Sequence, residues 1–356
     1  MTSFIMNGQG HGDVASVLMA NNFDPNSLRP YIGHDGRSYI TQNSGQSDAG
    51  GNPTYNQLVT NAPATLRKDD WIQLDTAILK AAKPRLNAVG DLRAAGLQLT
   101  IPNGMGKTVL EHETQSDITA ATISMDGIRK SDGDRPQFNL QSLPLPIIHK
   151  DFSFSARQVM ASRNGGSPLD TTTAELAGRR VAEEAEKLLL GESATYSYGG
   201  GSVYGYTNFP QRLTKTITAP TTSNHPTTVA EVLAMRKQST DNNYFGPWAL
   251  YYSPAWYGMM DEDYTATVNQ PWTLRSRLQQ IEGITAVRPA DYLTGTTILL
   301  VQQTPDVARM VVGMDITTVQ WETNGGMELN FKVMAIMVPQ LRSDYNSATG
   351  IVHGSV

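Results

Sequence analysis

The chain has no cysteine. That absence excludes disulfide scaffolds, thiolate zinc sites, iron–sulfur clusters and cysteine nucleophiles together. Charge is also scarce, since Asp, Glu, Lys and Arg make up only 17% of the residues. Lys and Arg number 28 against 33 Asp and Glu, a net charge of −5. A groove built to grip nucleic acid would instead show clustered positive charge. No apolar run approaches the ~18 residues of a membrane span. The longest, residues 333–338, is strand-sized. No Lys or Arg precedes Arg29, so no secretory leader is expected. What remains is a chain of 356 residues rich in Gly, Asn, Thr, Ser and Gln. That length suits about two domains of ~100–200 residues each. The composition predicts much extended structure and surfaces that are polar without being charged.

The catalytic motifs are missing too. Gly104-Met105-Gly106-Lys107-Thr108 follows a strand pattern, but a phosphate loop needs a further glycine where Ile101 stands. It reads as a turn. The six histidines, at 11, 34, 112, 149, 225 and 353, include no i, i+4 pair. His112, between Glu111 and Glu113, reads as part of a solvated charged turn. Gly45-Gln46-Ser47-Asp48 is followed by Ala49, which breaks the nucleophile-elbow pattern. Asp261-Glu262-Asp263 could in principle supply paired acids for glycoside hydrolysis, with Tyr251, Tyr252, Trp256, Tyr257 and Trp272 as a sugar platform. Adjacent helical residues point in different directions, so a solvated helix end and core aromatics are the expected reading. No catalytic, cofactor-binding or metal-binding residue is assigned.

Residues 1–66 read as an arm: they are punctuated by Gly and Pro, and only residues 14–19 offer a helical patch. Little in this arm could form a core, so it is expected to order against other surfaces, those of neighbouring subunits in particular. Trp71, Leu74, Ile78 and Ala81 then form the stripe of an amphipathic helix. Asp69 and Asp70 favour its first turn and Pro84 stops it. Residues 89–150 read as strand and turn. Leu97, Leu99 and Ile101 alternate, as do Ile123 and Met125, and Phe152 and Phe154 continue the pattern just beyond. Such a hairpin-like excursion buries too little to stand alone.

The strongest helix follows, opened by a capping box of Thr172 and Glu175 and closed by Gly191. Ala177, Val181, Ala185 and Leu188 line one face, with Glu183, Glu184 and Lys187 on another. At 1.5 Å per residue it makes a rod of ~28 Å. The second half reads as mixed α/β. Helices are expected over residues 228–236 and 272–281, strands over 248–252 and 298–301, and a helix start at Ser253-Pro254. Late strands are expected over 310–312, 317–321 and 328–338.

This order of elements resembles the major capsid proteins of tailed phages and their relatives the encapsulins, which share the Hong Kong-97-type shell fold. Residues 71–93 resemble the entry helix and its following segment, and residues 96–102 the start of the extended loop. Leu145-Pro146-Ile147-Ile148 with Phe152-Ser153-Phe154-Ser155 resembles that loop's return. Residues 168–191 resemble the spine helix, and Val203-Tyr204-Gly205-Tyr206 the glycine motif after it. Leu250-Tyr251-Tyr252-Ser253-Pro254 and Val312-Gly313-Met314-Asp315-Ile316 resemble the strand-to-helix step and the returning Gly-x-Asp turn.

The resemblance implies an α+β capsid fold with an N-terminal arm (1–66), an entry helix (67–87) and an extended loop (88–150). A peripheral domain with the spine helix (151–204), an axial domain (205–312), and return strands with a C-terminal tail (313–356) complete it. It further implies no enzyme but a self-assembling shell of pentamers and hexamers around double-stranded DNA. The implied partners are neighbouring subunits, a portal, and a scaffolding or decoration protein, with no membrane. Such a subunit would assemble in the host cytoplasm and end in the virion. A compartment that recruits cargo enzymes is the alternative, and the long polar arm favours the capsid. No cleavage of the arm is expected. Some relatives join Lys to Asn between subunits, but no motif selects a pair among Lys107, Lys130, Asn324 and Asn330, so noncovalent association is expected.

Val181→Pro should prevent folding, because proline inside a helix costs ~3 kcal/mol or more. Circular dichroism and solubility check this, and a soluble, helical variant would show that no helix runs there.

Overall fold

A computed structural model describes residues 29–47, 53–59, 66–115, 123, 125, 138–165, 171–221, 225–264, 272–344 and 347–356. The helical patch at 14–19, the turn at 131–134 and Lys130 lie outside these residues. Among the described residues the chain forms seven α-helices and five sheets.

Strands β1 (Tyr31–Ile32), β2 (Ser38–Ser47) and β3 (Pro53–Val59) pair antiparallel in that order. The arm therefore has a small sheet of its own, which the sequence hid because Tyr39 and Ile40 are the only large apolar residues in β2. It is also tied to its own chain. The Trp71 indole donates to Pro30 O at 3.1 Å, and Ile32 N donates to Leu66 O at 2.9 Å. Arg29 lies 4.5 Å above the Trp71 ring and pairs with Asp75 at 2.5 Å. These described residues of the arm pack on their own chain.

Helix α1 (Lys68–Ala82) carries Asp69 and Asp70 in its first turn, and Asp70 accepts from Arg67 N at 2.9 Å. It buries Trp71, Leu74, Ile78 and Ala82. The last member is Ala82 rather than Ala81, four residues after Ile78. A 3-10 turn through Pro84 leads straight into α2 (Asn87–Ala94). The strand-and-turn reading missed α2: it is eight residues long, with Gly90 in the middle, and shows too little periodicity.

Next come β4 (Gln98–Thr100), the antiparallel pair β5 (Val109–Gln115) and β6 (Phe138–Pro144), and then β7 (Ile148–Ser155). Helix α3 (Ala156–Gly165), which the sequence reading lacked, precedes the long α4 (Thr172–Leu190). The residue before α4 is Thr171, whose hydroxyl donates to Glu175 Oε1 at 3.2 Å, so the box on Thr172 is corrected. Gly191 takes the left-handed conformation at φ 90° and ends the helix as expected.

Short β8 (Tyr196–Tyr198), β9 (Gly201–Val203) and β10 (Leu213–Thr216) precede α5 (His225–Asp241), which is longer than its expected 228–236 core. Strand β11 (Trp248–Tyr252) leads through a 3-10 turn to α6 (Tyr257–Asp261). Ser253 does not cap that turn: its hydroxyl donates to Gly295 O at 2.7 Å and accepts from Thr297 N. Helix α7 (Leu274–Gln279) is shorter than residues 272–281 because Thr273 is its N-cap. Strands β12 (Ile284–Pro289), β13 (Ile298–Gln302), β14 (Ala308–Thr323), β15 (Glu328–Leu341) and β16 (Ile351–Ser355) complete the chain. The segments 310–312 and 317–321, read as separate strands, are one strand whose register shifts on either side of Met314.

One mixed sheet runs β4-β14-β15-β7 and the other β10-β16-β13-β11-β12. The C-terminal strand β16 thus lies inside the second sheet, away from the return strands with which residues 313–356 were grouped. Side-chain alternation makes the second sheet a middle layer. Ala249, Tyr251, Leu299, Val301 and Ile351 face a core shared with α1, α2, α4 and the first sheet. Trp248, Leu250, Tyr252, Ile298 and Leu300 face a second core under α5, α6 and α7. The first sheet's own face is aromatic. Phe331 stacks on Phe152 at 5.1 Å and meets Phe154 and Trp71 edge-on.

Helix α4 packs tightly on α1 because Gly178 has no side chain there. A Cβ at that position would lie 2.6 Å from Ile78 Cγ2. Gly178→Ala should therefore cost about 1–3 kcal/mol through overpacking despite alanine's better helix propensity. Urea unfolding checks this, and a variant as stable as the parent would show that the helices can part without cost.

Candidate functional site

The residues that could have carried catalysis are scattered or buried. Gly104–Gly106 is a 3-10 turn after Asn103, whose side chain accepts from Gly106 N at 3.2 Å. A Cβ on Gly104 would fall 2.3 Å from Gly313 Cα, so this glycine serves a close backbone crossing between the turn and β14, not a phosphate. Asp261 is exposed, and Glu262 Oε2 accepts from His225 Nε2 at 3.0 Å at the end of α6. Tyr251 and Tyr252 point to opposite cores, and Trp256 is fully buried. These three aromatics fill the interior; of the other two expected in a sugar platform, Tyr257 is half-buried with its hydroxyl donating to Asp291, and Trp272 is exposed. No group of three or more His, Asp or Glu among the described residues could hold a metal ion.

Among the described residues, buried carboxyl groups gather where the two sheets meet, on Glu186 and Asp91, which the sequence reading did not single out. Glu186, on α4 and only 1% exposed, accepts from Ala88 N at 2.6 Å and Val89 N at 3.2 Å. It therefore supplies the first-turn N–H groups of α2 with the acceptor that no local cap provides. One turn on, Asp91 takes the Tyr251 hydroxyl at 3.1 Å and Arg288 Nε at 3.0 Å, both from the second sheet. Tyr206 stacks on Tyr251 with ring centroids 6.4 Å apart. Burial pushes the Glu186 carboxyl up to about 7, overriding the backbone donors that favour its charge. Burial likewise raises Asp91, against the pull of Arg288 and Tyr251, and raises both tyrosines. The only sequence signal for this cluster was a glutamate at position 186 inside an otherwise apolar run, 185–190, broken also by Lys187.

A second notable surface is the β5–β6 ribbon. Its base is anchored, since Leu143 and Leu145 enter a small core with Ile101, Leu188, Val311 and Val338. Farther out Phe138 is 60% and Leu140 57% exposed. Leu58 and Val59 on β3 are similarly open. A two-stranded ribbon is at best marginal alone, and these side chains offer apolar area to a further surface.

Comparison with known proteins places this architecture. Residues 61–354 match a family described as "Family of unknown function (DUF6260)". The chain belongs to that family. This DUF6260 member is 25% identical over 210 residues to the type 1 encapsulin shell protein EncA of Myxococcus xanthus, which covers 58% of this chain and 68% of EncA. Its fold superposes on the crystal structure of a virus-like particle from Pyrococcus furiosus with a TM-score of 0.59 at 16% identity, over 80% of this chain and 99% of that one. The capsid of Myoviridae phage XM1 gives 0.55 at 8% identity, over 70% and 86%. The DUF6260 chain has the Hong Kong-97-type shell fold, and the proteins it matches are shell components, not enzymes.

The linkage of Glu186 has a definite sign. Its folded-state value of about 7 exceeds the ordinary 4.5, so its contribution to stability is complete below pH 4.5 and is lost as pH rises through 7. Glu186→Gln removes this titration. Across that window the parent should lose urea resistance relative to Glu186→Gln; parallel curves would mean the carboxyl is not held high.

Proposed function

We propose that this chain is a structural capsid protein whose copies assemble into pentamers and hexamers of an icosahedral-type shell around double-stranded DNA. The shell fold carries this reading, together with a ribbon and a β3 strand whose apolar side chains have no cover among the described residues. Residues 67–87 and 151–204 would form the peripheral domain and 205–312 the axial domain; of residues 88–150, α2 and β4 belong to the subunit's own core, and the β5–β6 ribbon would be the part that extends over a neighbour. The return strands β14 and β15 would close the peripheral sheet, with β16 completing the axial one. Burial between copies would contribute ~25 cal/mol for each Å² of apolar surface removed from water, repeated at every contact of the shell. The net charge of −5 suits a wall that does not trap DNA phosphates. Assembly in a host cytoplasm, noncovalent contacts, and a portal with scaffolding or decoration proteins belong to the same reading.

The similarity to EncA supports a second reading, a nanocompartment shell that encloses cargo enzymes. Contents distinguish the two. Electron microscopy of purified protein should show closed shells, and nuclease-protected double-stranded DNA inside native particles would fit the capsid. Protein cargo without DNA would replace the capsid by the compartment. A chain that stays monomeric at high concentration would exclude both.

A further inference from the structure

A cleft of 720 Å³ opens between the base of the β5–β6 ribbon, the segment around Gly201 and Pro210, and the end of β15. Its floor is rich in donors without acceptors. Gln340 is 1% exposed, and its Nε2 has no hydrogen-bond partner among the described residues. The cross-strand neighbour Arg309 fixes that amide by donating from Nε to Gln340 Oε1 at 2.5 Å. With the oxygen taken by Arg309, the buried amide N–H groups stay unpaired beneath the cleft and offer Arg342 no acceptor. Arg342, two residues on and also in the cleft wall, has a buried Nε without a partner. Neither Arg309 nor Arg342 forms an ion pair within 4.0 Å among the described residues, although burial and Arg342 both act on Arg309. Two half-buried guanidinium groups that act on each other with no carboxylate partner among the described residues favour an anion beside them.

His112 faces this same cleft from β5, and its Nδ1 is buried without a partner. Burial, Arg342 and Arg309 hold it down to about 4, so it is neutral near pH 7 and adds no charge of its own. Asp344, the acid in the cleft wall, turns its Oδ1 to Ala348 N at 2.8 Å and pairs with neither arginine.

We propose that this cleft receives an aspartate or glutamate side chain from a second copy of the chain, whose carboxylate pairs with the half-buried guanidinium of Arg342. The cleft's size is that of a site for a multi-atom ligand, not a single ion. A planar carboxylate matches a guanidinium edge. The chain itself has the acidic surplus to supply one, with 33 acids against 28 bases. The cleft also adjoins Phe138, one of two exposed apolar residues of the ribbon, so charge and apolar contact would be made together. This assignment rests on self-assembly as proposed above.

Arg342→Lys places an amine at the site. Labelled and unlabelled Arg342→Lys chains, mixed before assembly, should give carbodiimide cross-links from position 342 to an Asp or Glu of another copy, seen as peptide pairs of mixed isotope. Arg342→Gln should raise the concentration needed for assembly about tenfold, the worth of one charged hydrogen bond, with an unchanged melting curve for the unassembled chain. Particles that form with position 342 linked only within its own chain, to Asp344 for instance, would overturn the assignment and leave the shell reading standing. Chains that never associate would overturn both.

Discussion

Two sheets in this chain are joined through one short helix that cannot cap itself. Helix α2 begins at Asn87 with no local side chain on its first N–H groups, and Glu186 reaches across from α4 to accept from two of them. The same helix then gives Asp91 to Tyr251 and Arg288 of the second sheet. Because a buried donor without a partner costs about 1–3 kcal/mol, these bonds fix where α4 and the second sheet stand relative to each other. The shared apolar core around Ala88, Val89, Leu299 and Val301 supplies cohesion, and the polar contacts set its registry.

Cohesion within the chain stops short of its edges. The β5–β6 ribbon is rooted by Leu143 and Leu145 but exposes Phe138 and Leu140, and the small N-terminal sheet exposes Leu58 and Val59. Polar groups repeat the pattern, since Gln340 and Arg342 keep donors without acceptors in a cleft at the ribbon's root. Apolar area left in water and buried donors left unpaired are deficits of the same kind. In the assembly proposed above, a second copy would cover the apolar area and bring a carboxylate to the Arg342 guanidinium at one contact.

The legible parts of the sequence were those where one side chain's location follows from local period. The stripe Trp71-Leu74-Ile78, the face Ala177-Val181-Ala185-Leu188 and the alternation of Leu329, Phe331 and Val333 all place their residues in the core. Where few residues carry the period, the reading failed. Strand β2 has two large apolar residues, α2 has eight residues and an internal glycine, and α3 showed no stripe. The arm was judged by its Gly and Pro, yet Arg29 and Pro30 are held by Trp71 and Asp75, an attachment no local pattern encodes.

By itself the sequence determined the absence of thiol chemistry, the long helix with its glycine stop, the strand alternations, and the order of elements that resembles a shell protein. These follow from residue type and spacing, which act over a few residues. Tertiary structure alone decided that β16 enters the second sheet, that Glu186 caps a helix about a hundred positions away, and that Gln340, Arg342 and His112 share one cleft. Such contacts join residues whose separation along the chain carries no periodic signal, and only folding brings their charges and donors within reach of one another.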